Sequence, residues 1–264
     1  MGRIGERFEQ LRARDERALV VFLSAGDPSL DATDALVLAM AESGADVIEI
    51  GVPFSDPVAD GPKIQASSER GLRSGATLRR ILERVERLRP KIEQPLVLMG
   101  YTNPFLTMGA ERFAAAGRDV GVDGVIVPDL PPEEGEDFFR VVNAAGIDGI
   151  LLAAPTTSEA RMKLLAEKTR GFLYYVSRSG VTGARDQLAD GIAARVALAK
   201  SFGETPVCVG FGISTPEQAR LVGEHADGVV VGSAIVDRIE AAASVPDAVD
   251  AVARFVAELK AVLR

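Results

Sequence analysis

The segment Asp46–Pro62, DVIEIGVPFSDPVADGP, decides how the rest of the sequence is interpreted. It begins with residues typical of a buried strand, Val47–Ile50, among which stands the carboxylic acid Glu49. It continues as a loop rich in glycine, proline and aspartate, and this loop contains Asp60. A carboxylate inside an apolar strand is costly unless it is paired, protonated or used in chemistry. We therefore interpret the segment as catalytic, with Glu49 as a general acid or base and Asp60 as a second acid converging on the same substrate.

Each acid also has a purely structural interpretation. Glu49 on a strand with one exposed face would pair with a basic residue of a helix, but its apolar neighbours are typical of a parallel strand covered on both faces. Asp60 precedes Gly61-Pro62, where an aspartate commonly stabilises a turn, so Asp60 alone gives a weaker signal than Glu49. Asp56 precedes a proline in the same way, and we assign it to the turn.

A pattern of short apolar strand, polar turn and helix repeats along the chain. Eight strands are predicted, at Leu19–Leu23, Asp46–Ile50, Leu96–Met99, Gly124–Val127, Gly149–Leu152, Phe172–Val176, Val207–Val209 and Gly228–Val231. Eight such units within 264 residues, without a linker, predict an α/β fold in which residues 1–264 form a single domain. The predicted architecture is a closed (β/α)8 TIM barrel with an extra N-terminal helix over Gly2–Arg14, and an open doubly wound sheet is the alternative.

Two connections are longer than the others, those over residues 51–95 and 177–206, which follow the second and sixth predicted strands. The active site of such a barrel is built by the loops at the carboxyl ends of its strands. The extra length therefore marks both connections as candidate lids. Asp60 lies on the first of them, and Thr182 and Gly183 lie on the second.

Glycine-rich segments follow the seventh and eighth predicted strands. Gly210–Ser214 reads GFGIS, and Gly232-Ser233 opens a helix. Barrels often hold a phosphate between these two loops, because glycine lets the backbone N–H groups of a helix N-terminus approach the anion. We therefore predict a phosphate site there, which glycines of the long loop after the sixth strand would complete. The alternative is that these glycines only turn the chain.

Composition argues against several other functions. A net charge of −8 without a basic stripe argues against nucleic acid and anionic membranes as partners. The single cysteine, Cys208, fits a reducing cytoplasm. Every lysine lies away from the carboxyl end of a predicted strand, so a Schiff-base mechanism has no obvious nucleophile. One histidine, His225, in a connection at the opposite end, does not make a metal site.

The chain resembles the tryptophan synthase alpha chain family from end to end. The motifs that carry the resemblance are IEIGVPFSDPVADGP at Ile48–Pro62, VPDLPPEE at Val127–Glu134, SRSGVTG at Ser177–Gly183, GFGIS at Gly210–Ser214 and VGSAIV at Val231–Val236. The resemblance implies a lyase that cleaves indole-3-glycerol phosphate to indole and glyceraldehyde 3-phosphate and needs no cofactor of its own. It also implies a cytoplasmic alpha2beta2 heterotetramer, in which a beta chain carrying pyridoxal phosphate consumes the indole.

The resemblance assigns a role to each site residue. Glu49 matches the proton-transfer glutamate, Asp60 the aspartate on the indole N–H, and Thr182 the threonine that orders Asp60 when the loop after the sixth strand closes. The indole pocket is matched by Phe22, Met99, Tyr101, Ile126, Tyr174 and Phe211. The phosphate cradle is matched by Gly183, Gly212, Gly232 and Ser233. The loops after the second and third strands, including Asn103-Pro104, match the surface that meets the beta chain.

Lys63 departs from the family, which often has Thr or Val after Gly61-Pro62. This position lies in a loop that touches both catalysis and the partner, so the change concerns loop closure or partner affinity and removes no catalytic group. Three other functions remain open at this point. They are a stand-alone lyase that releases free indole, a non-catalytic ligand-gated activator, and a carboxylate-dependent sugar-phosphate isomerase.

Overall fold

The computed structural model describes residues 2–177, 185–210 and 212–264, with only the backbone described over 185–190. The strands are β1 (Ala18–Ser24), β2 (Val47–Gly51), β3 (Leu96–Met99), β4 (Gly124–Ile126), β5 (Asp148–Ala153), β6 (Leu173–Val176), β7 (Val207–Gly210) and β8 (Gly228–Val231). Each strand pairs in parallel with the next, and β8 pairs with β1 to close the barrel. The predicted TIM barrel is therefore confirmed.

The helices surround this barrel. They are α1 (Arg3–Ala13), α2 (Leu30–Glu42), α3 (Pro62–Arg73), α4 (Leu78–Leu88), α5 (Thr102–Met108), α6 (Ala110–Val120), α7 (Glu136–Ala144), α8 (Glu159–Lys168), α9 (Arg185–Lys200), α10 (Pro216–Gly223), α11 (Ser233–Ala241) and α12 (Val245–Ala261). Many of them begin where a serine or threonine side chain accepts a hydrogen bond from the first turn, as Ser29 does from the N–H of Ala32 at 3.1 Å. In the described part of the chain, no helix is both long and apolar enough to cross a membrane.

Side chains alternate along each strand between two buried layers. Ile48 and Ile50 of β2 belong to the layer between the barrel and the outer helices. Val47 belongs to the layer inside the barrel, together with Val20 and Tyr174. Because successive residues of a strand point to opposite faces, Glu49 shares the inner face with Val47. The acid therefore points into the barrel.

The amino end of the barrel is closed by α1. Its apolar stripe of Ile4, Phe8 and Leu11 is buried against the inner layer, and the rings of Phe8 and Phe172 lie 6.0 Å apart. The predicted N-terminal helix is thus present and acts as a plug at this end. The barrel interior can therefore open only at the carboxyl ends of the strands.

Aspartates fix the amino ends of three strand pairs. Asp46, Asp123 and Asp227 each stand immediately before a strand. The carboxylate of each accepts a hydrogen bond, 2.8 Å long, from a backbone N–H of the strand that comes before it in the chain. Each also meets a cation, as Asp46 does with the buried ammonium of Lys260 at 2.9 Å. Buried carboxylates at this end are therefore paired and hydrogen-bonded, which is the condition for their stability.

Two helices near the carboxyl end, α3 and α5, lie in segments where the sequence predicts no helix. The buried residues of α3 are Ser67, Ser68 and Gly71, so no apolar stripe marks it. The seven residues of α5 bury only Phe105. Because helix prediction from sequence relies on apolar periodicity, neither helix could be recognised in this way.

Candidate active site

A cavity opens at the carboxyl ends of the strands, with about 500 Å³ of empty space that is partly open to solvent. The residues that line it come from β1, β2, β3, β6, β8 and the connections that follow β2, β7 and β8. They are Phe22, Glu49, Asp60, Ile64, Met99, Tyr174, Gly212, Ile213, Val230, Gly232 and Ser233. Its apolar walls with a few polar groups are typical of small-molecule sites.

Glu49 forms the floor of this cavity. It lies in the middle of β2, in register with Phe22 of β1 and Val97 of β3, and its exposed fraction is 0%. Neither carboxyl oxygen has a hydrogen-bond partner among the described residues. Burial without compensation raises the pKa of Glu49 from 4.5 to about 8. The side chain is therefore a carboxylic acid at neutral pH, able to give a proton to a ligand and take it back.

Asp60 reaches the cavity from the loop between β2 and α3, where it is half-buried. Burial raises its pKa, and a hydrogen bond with the Tyr101 hydroxyl lowers it in part. That hydroxyl also accepts the N–H of Ala59 at 2.9 Å, while the side-chain amide of Gln65 donates to the carbonyl of Asp60 at 2.8 Å. The two acids of the cavity therefore have different surroundings, which is how one site keeps two carboxyl groups in separate roles.

Two glycines of the barrel wall make room for the aromatic residues of the cavity. A Cβ atom at Gly51 would lie 2.7 Å from the ring of Phe22, and a Cβ at Gly210 would lie 2.7 Å from the ring of Tyr174. Together with Met99, these rings give the cavity that Glu49 lines its apolar walls. The site can therefore enclose a planar apolar group next to a proton donor.

Backbone donors also lie around the cavity, at Gly212, Gly232 and Ser233. Gly232 precedes α11, and Ser233 is its first residue, so free N–H groups and the positive end of the helix dipole face this region. Gly212, with a φ of 80°, has the left-handed conformation that favours glycine. Among the described residues that line the cavity there is no lysine or arginine. An anion held here would therefore depend on backbone N–H groups and the Ser233 hydroxyl.

The structure brings most of the predicted site residues together. Tyr101 lies in an adjoining recess that Asp60, Phe22 and Met99 also line. Ile126 is fully buried in the inner layer of the barrel and does not line the cavity. Three predicted residues, Thr182, Gly183 and Phe211, lie outside the described residues.

Sequence analysis missed three residues of the cavity, Ile64, Ile213 and Val230. The sequence could have indicated Val230, because it lies two positions before Gly232 and alternate residues of an extended chain point to the same face. Ile213 lies inside the GFGIS motif. Ile64 gives no such signal, because it belongs to α3, which the sequence does not predict. Among the described residues, no group of three or more histidine, cysteine, aspartate or glutamate side chains could hold a metal ion.

Comparison with known proteins identifies the family. The family model described as tryptophan synthase alpha chain matches residues 8–264. The chain belongs to this family. A tryptophan synthase alpha chain from Geobacter sp. (strain M21) is 53% identical over 240 residues, covering 91% of this chain and 90% of the relative. One from Burkholderia pseudomallei (strain 1106a) is 50% identical and covers 100% of this chain and 97% of the relative.

Solved structures of tryptophan synthases share the fold. The alpha subunit from Legionella pneumophila str. Paris superposes with a TM-score of 0.92 at 37% identity, covering 100% of this chain and 98% of that one. A tryptophan synthase chain from M. tuberculosis, in an open form, gives a TM-score of 0.90 at 34% identity, covering 100% and 99%. The prediction of a tryptophan synthase alpha chain, a lyase of tryptophan biosynthesis that cleaves indole-3-glycerol phosphate, is confirmed.

The pKa of Glu49 predicts a pH dependence of stability. The pKa of Glu49 has its ordinary value of 4.5 in the unfolded chain and is about 8 in the folded chain. Between these values the folded state holds the additional proton, so this group makes the stability of the wild type fall as pH rises. Glutamine does not ionise. The free energy of unfolding of Glu49→Gln, relative to wild type, should rise by up to roughly 1.4 kcal/mol per pH unit between about pH 5 and about pH 8, and then level off.

Urea unfolding at several pH values measures this difference. Glu83→Gln, at an exposed position of α4, is the matched control and should show no such trend. A difference between Glu49→Gln and wild type that does not change with pH would mean that Glu49 is already ionised in the folded chain.

Proposed function

We propose that this chain cleaves indole-3-glycerol phosphate by a retro-aldol reaction in which Glu49 transfers the protons and Asp60 stabilises the charged indole ring. The observation that carries the proposal is the buried, unpartnered carboxyl group of Glu49, which faces the same cavity as Asp60 and Ser233. A buried acid with a raised pKa is suited to general acid–base catalysis near neutral pH.

The reaction begins with Glu49 as an acid. Its carboxyl group gives a proton to C3 of the indole ring, which turns the ring into an electron sink with a positive charge shared by the ring nitrogen. The carboxylate of Asp60 accepts a hydrogen bond from the ring N–H and stabilises that charge. Asp60 serves as an electrostatic partner, since its environment differs from that of Glu49.

Glu49 then acts as a base. Its carboxylate takes the proton of the C3′ hydroxyl, the C3–C3′ bond breaks, and the bonding electrons return to the indole ring. The products are indole and glyceraldehyde 3-phosphate, and Glu49 ends the cycle protonated, as it began. The carbon–carbon bond thus breaks without a net change in the enzyme's proton count.

Other residues of the cavity suit the remaining parts of the substrate. The rings of Phe22 and Tyr174 with Met99 would enclose the indole, and the backbone at Gly212, Gly232 and Ser233 would hold the phosphate. We propose that Thr182 and Gly183 complete the site, as the resemblance implies. This chain would need no cofactor, with pyridoxal phosphate held by the beta chain.

We also propose that a tryptophan synthase beta chain binds at the carboxyl end of the barrel, in a cytoplasmic alpha2beta2 complex. Two large apolar side chains stand exposed there, Val58 at 84% after β2 and Leu106 at 60% on α5. A groove along α5 is lined by Asn103 and Pro104 and by a third exposed apolar residue, Leu72 at 37%. Exposed apolar groups around a groove are typical of protein–protein contacts and favour a synthase subunit over a stand-alone lyase.

Replacing the catalytic acid tests the proposed mechanism. Glu49→Gln keeps the shape of the protonated acid but cannot transfer a proton, so kcat for indole release should fall by about 10²–10⁴-fold. Indole release is measured with the beta chain present, and Glu83→Gln should behave as wild type. Near-normal turnover by Glu49→Gln would refute the role of Glu49.

Replacing an exposed apolar residue tests the partner surface. Leu106→Asp places a charge on the proposed interface and should weaken co-purification with the beta chain at least tenfold, as expected for an interface residue that contributes about 1.4 kcal/mol or more. Gln10→Asp, on the exposed face of α1 at the opposite end of the barrel, is the control. Wild-type affinity in Leu106→Asp would place the beta chain elsewhere.

A further inference from the structure

Two ion pairs join α3 to α11. The ammonium group of Lys63 contacts the carboxylate of Asp237, and Nη1 of Arg70 lies 2.9 Å from Oε1 of Glu240. The first pair lies at the beginning of α3 and the second lies in its last turn. The two ends of α3 are therefore tied to the same helix, but their surroundings differ.

The end of α3 that carries Arg70 is anchored in the protein interior. Nε and Nη2 of Arg70 donate to the two carboxylate oxygens of Asp27 at 2.8 and 2.9 Å, and Asp27 is 1% exposed. The hydroxyl of Ser67 donates to the same carboxylate at 2.5 Å. This end would thus keep its place without the contact to Glu240.

The beginning of α3 has no such anchor. Each residue from Gly61 to Ala66 is exposed or half-buried, and the buried positions of the helix start at Ser67. A Cβ atom at Gly61 would meet nothing within 4 Å, and no side chain caps this end of the helix. Among the described residues, the contact of Lys63 with Asp237 is the ion pair that holds this end.

The ion pair connects the two halves of the candidate active site. On one side, Asp60 immediately precedes this end of α3, and Ile64, the neighbour of Lys63, lines the cavity. On the other side, Asp237 lies one helical turn after Ser233, where backbone N–H groups face the cavity. The contact therefore links the loop of Asp60, which the Tyr101 hydroxyl holds on its other side, to the proposed phosphate site.

We propose that Lys63 is a positioning residue, which holds the beginning of α3 against α11 through Asp237 and so keeps Asp60 at a fixed place relative to the bound phosphate. The proposal rests on the role proposed above for Asp60. Lys63 touches no reacting atom in it. Its contribution is to kcat, because Asp60 acts on the charge that develops in the transition state, whereas the phosphate donors belong to α11 itself.

The expected effect is modest. Both partners are partly exposed, with side-chain exposures of 57% for Lys63 and 38% for Asp237, and exposed ion pairs contribute at most about 1 kcal/mol. Lys63→Gln should therefore lower kcat for indole-3-glycerol phosphate cleavage about two- to fivefold. The dissociation constant for inorganic phosphate should stay within about twofold of wild type. Because salt screens exposed charges, the loss in kcat should shrink in high salt.

Steady-state kinetics of the full chain, alone and with saturating beta chain, test this proposal. Lys63→Arg and the exchanged pair Lys63→Asp with Asp237→Lys should recover most of kcat, since both restore an ion pair. The matched control is Arg73→Gln, which removes the exposed pair of Arg73 with Glu69 within α3 and should leave kcat unchanged.

Three results would overturn the proposal. The first is a wild-type kcat in Lys63→Gln, and the second is a loss of kcat that neither restored ion pair recovers. The third is weakened binding of inorganic phosphate with kcat unchanged, which would make Lys63 a phosphate ligand. A wild-type chain and an Arg73→Gln chain that both release no indole would instead count against the proposed function. The two failures are thus distinguishable.

Discussion

The carboxyl group of Glu49 is buried in the barrel wall without a partner, and this constraint determines how the site works. Burial raises the pKa of this group from 4.5 to about 8, which means that it disfavours the charged form by on the order of 5 kcal/mol. The folded chain tolerates this cost because the acid stays protonated at neutral pH. The same cost suits Glu49 to proton transfer. After it gives its proton to a substrate carbon, the buried carboxylate that remains is a stronger base than an exposed one and can accept the next proton.

Glu49 differs from the other buried carboxylates of the barrel, which have partners. At the amino end, Asp46 is held by the N–H of Leu19 and by the ammonium of Lys260, and such paired groups stabilise the strands. At the carboxyl end, Glu49 has neither a donor nor a cation among the described residues. Asp27, Asp46 and Asp123 are each paired with a cation, whereas Glu49, the buried acid that has no partner among the described residues, faces the cavity.

The sequence predicts the barrel and Glu49 well, because both depend on continuous apolar runs that a single acid interrupts. Asp60 gives a weaker signal, since aspartate before Gly61-Pro62 also suits an ordinary turn. Helix α3 gives none, because its buried face is made of serine and glycine. The contact of Lys63 with Asp237 joins residues 174 positions apart, which no local pattern reveals. Local periodicity thus predicts the scaffold and the buried acid, whereas the contacts that position Asp60 depend on the tertiary structure.

The protonation state of Glu49 is the central claim, and infrared difference spectroscopy measures it directly. The spectrum of wild type minus Glu49→Gln, recorded across pH, isolates the C=O stretch of this one carboxylic acid. The account predicts that the protonated band is present at neutral pH and disappears with a midpoint at about 8. A spectrum that already shows the carboxylate at about pH 6, with a midpoint near the ordinary value for glutamate, would contradict it.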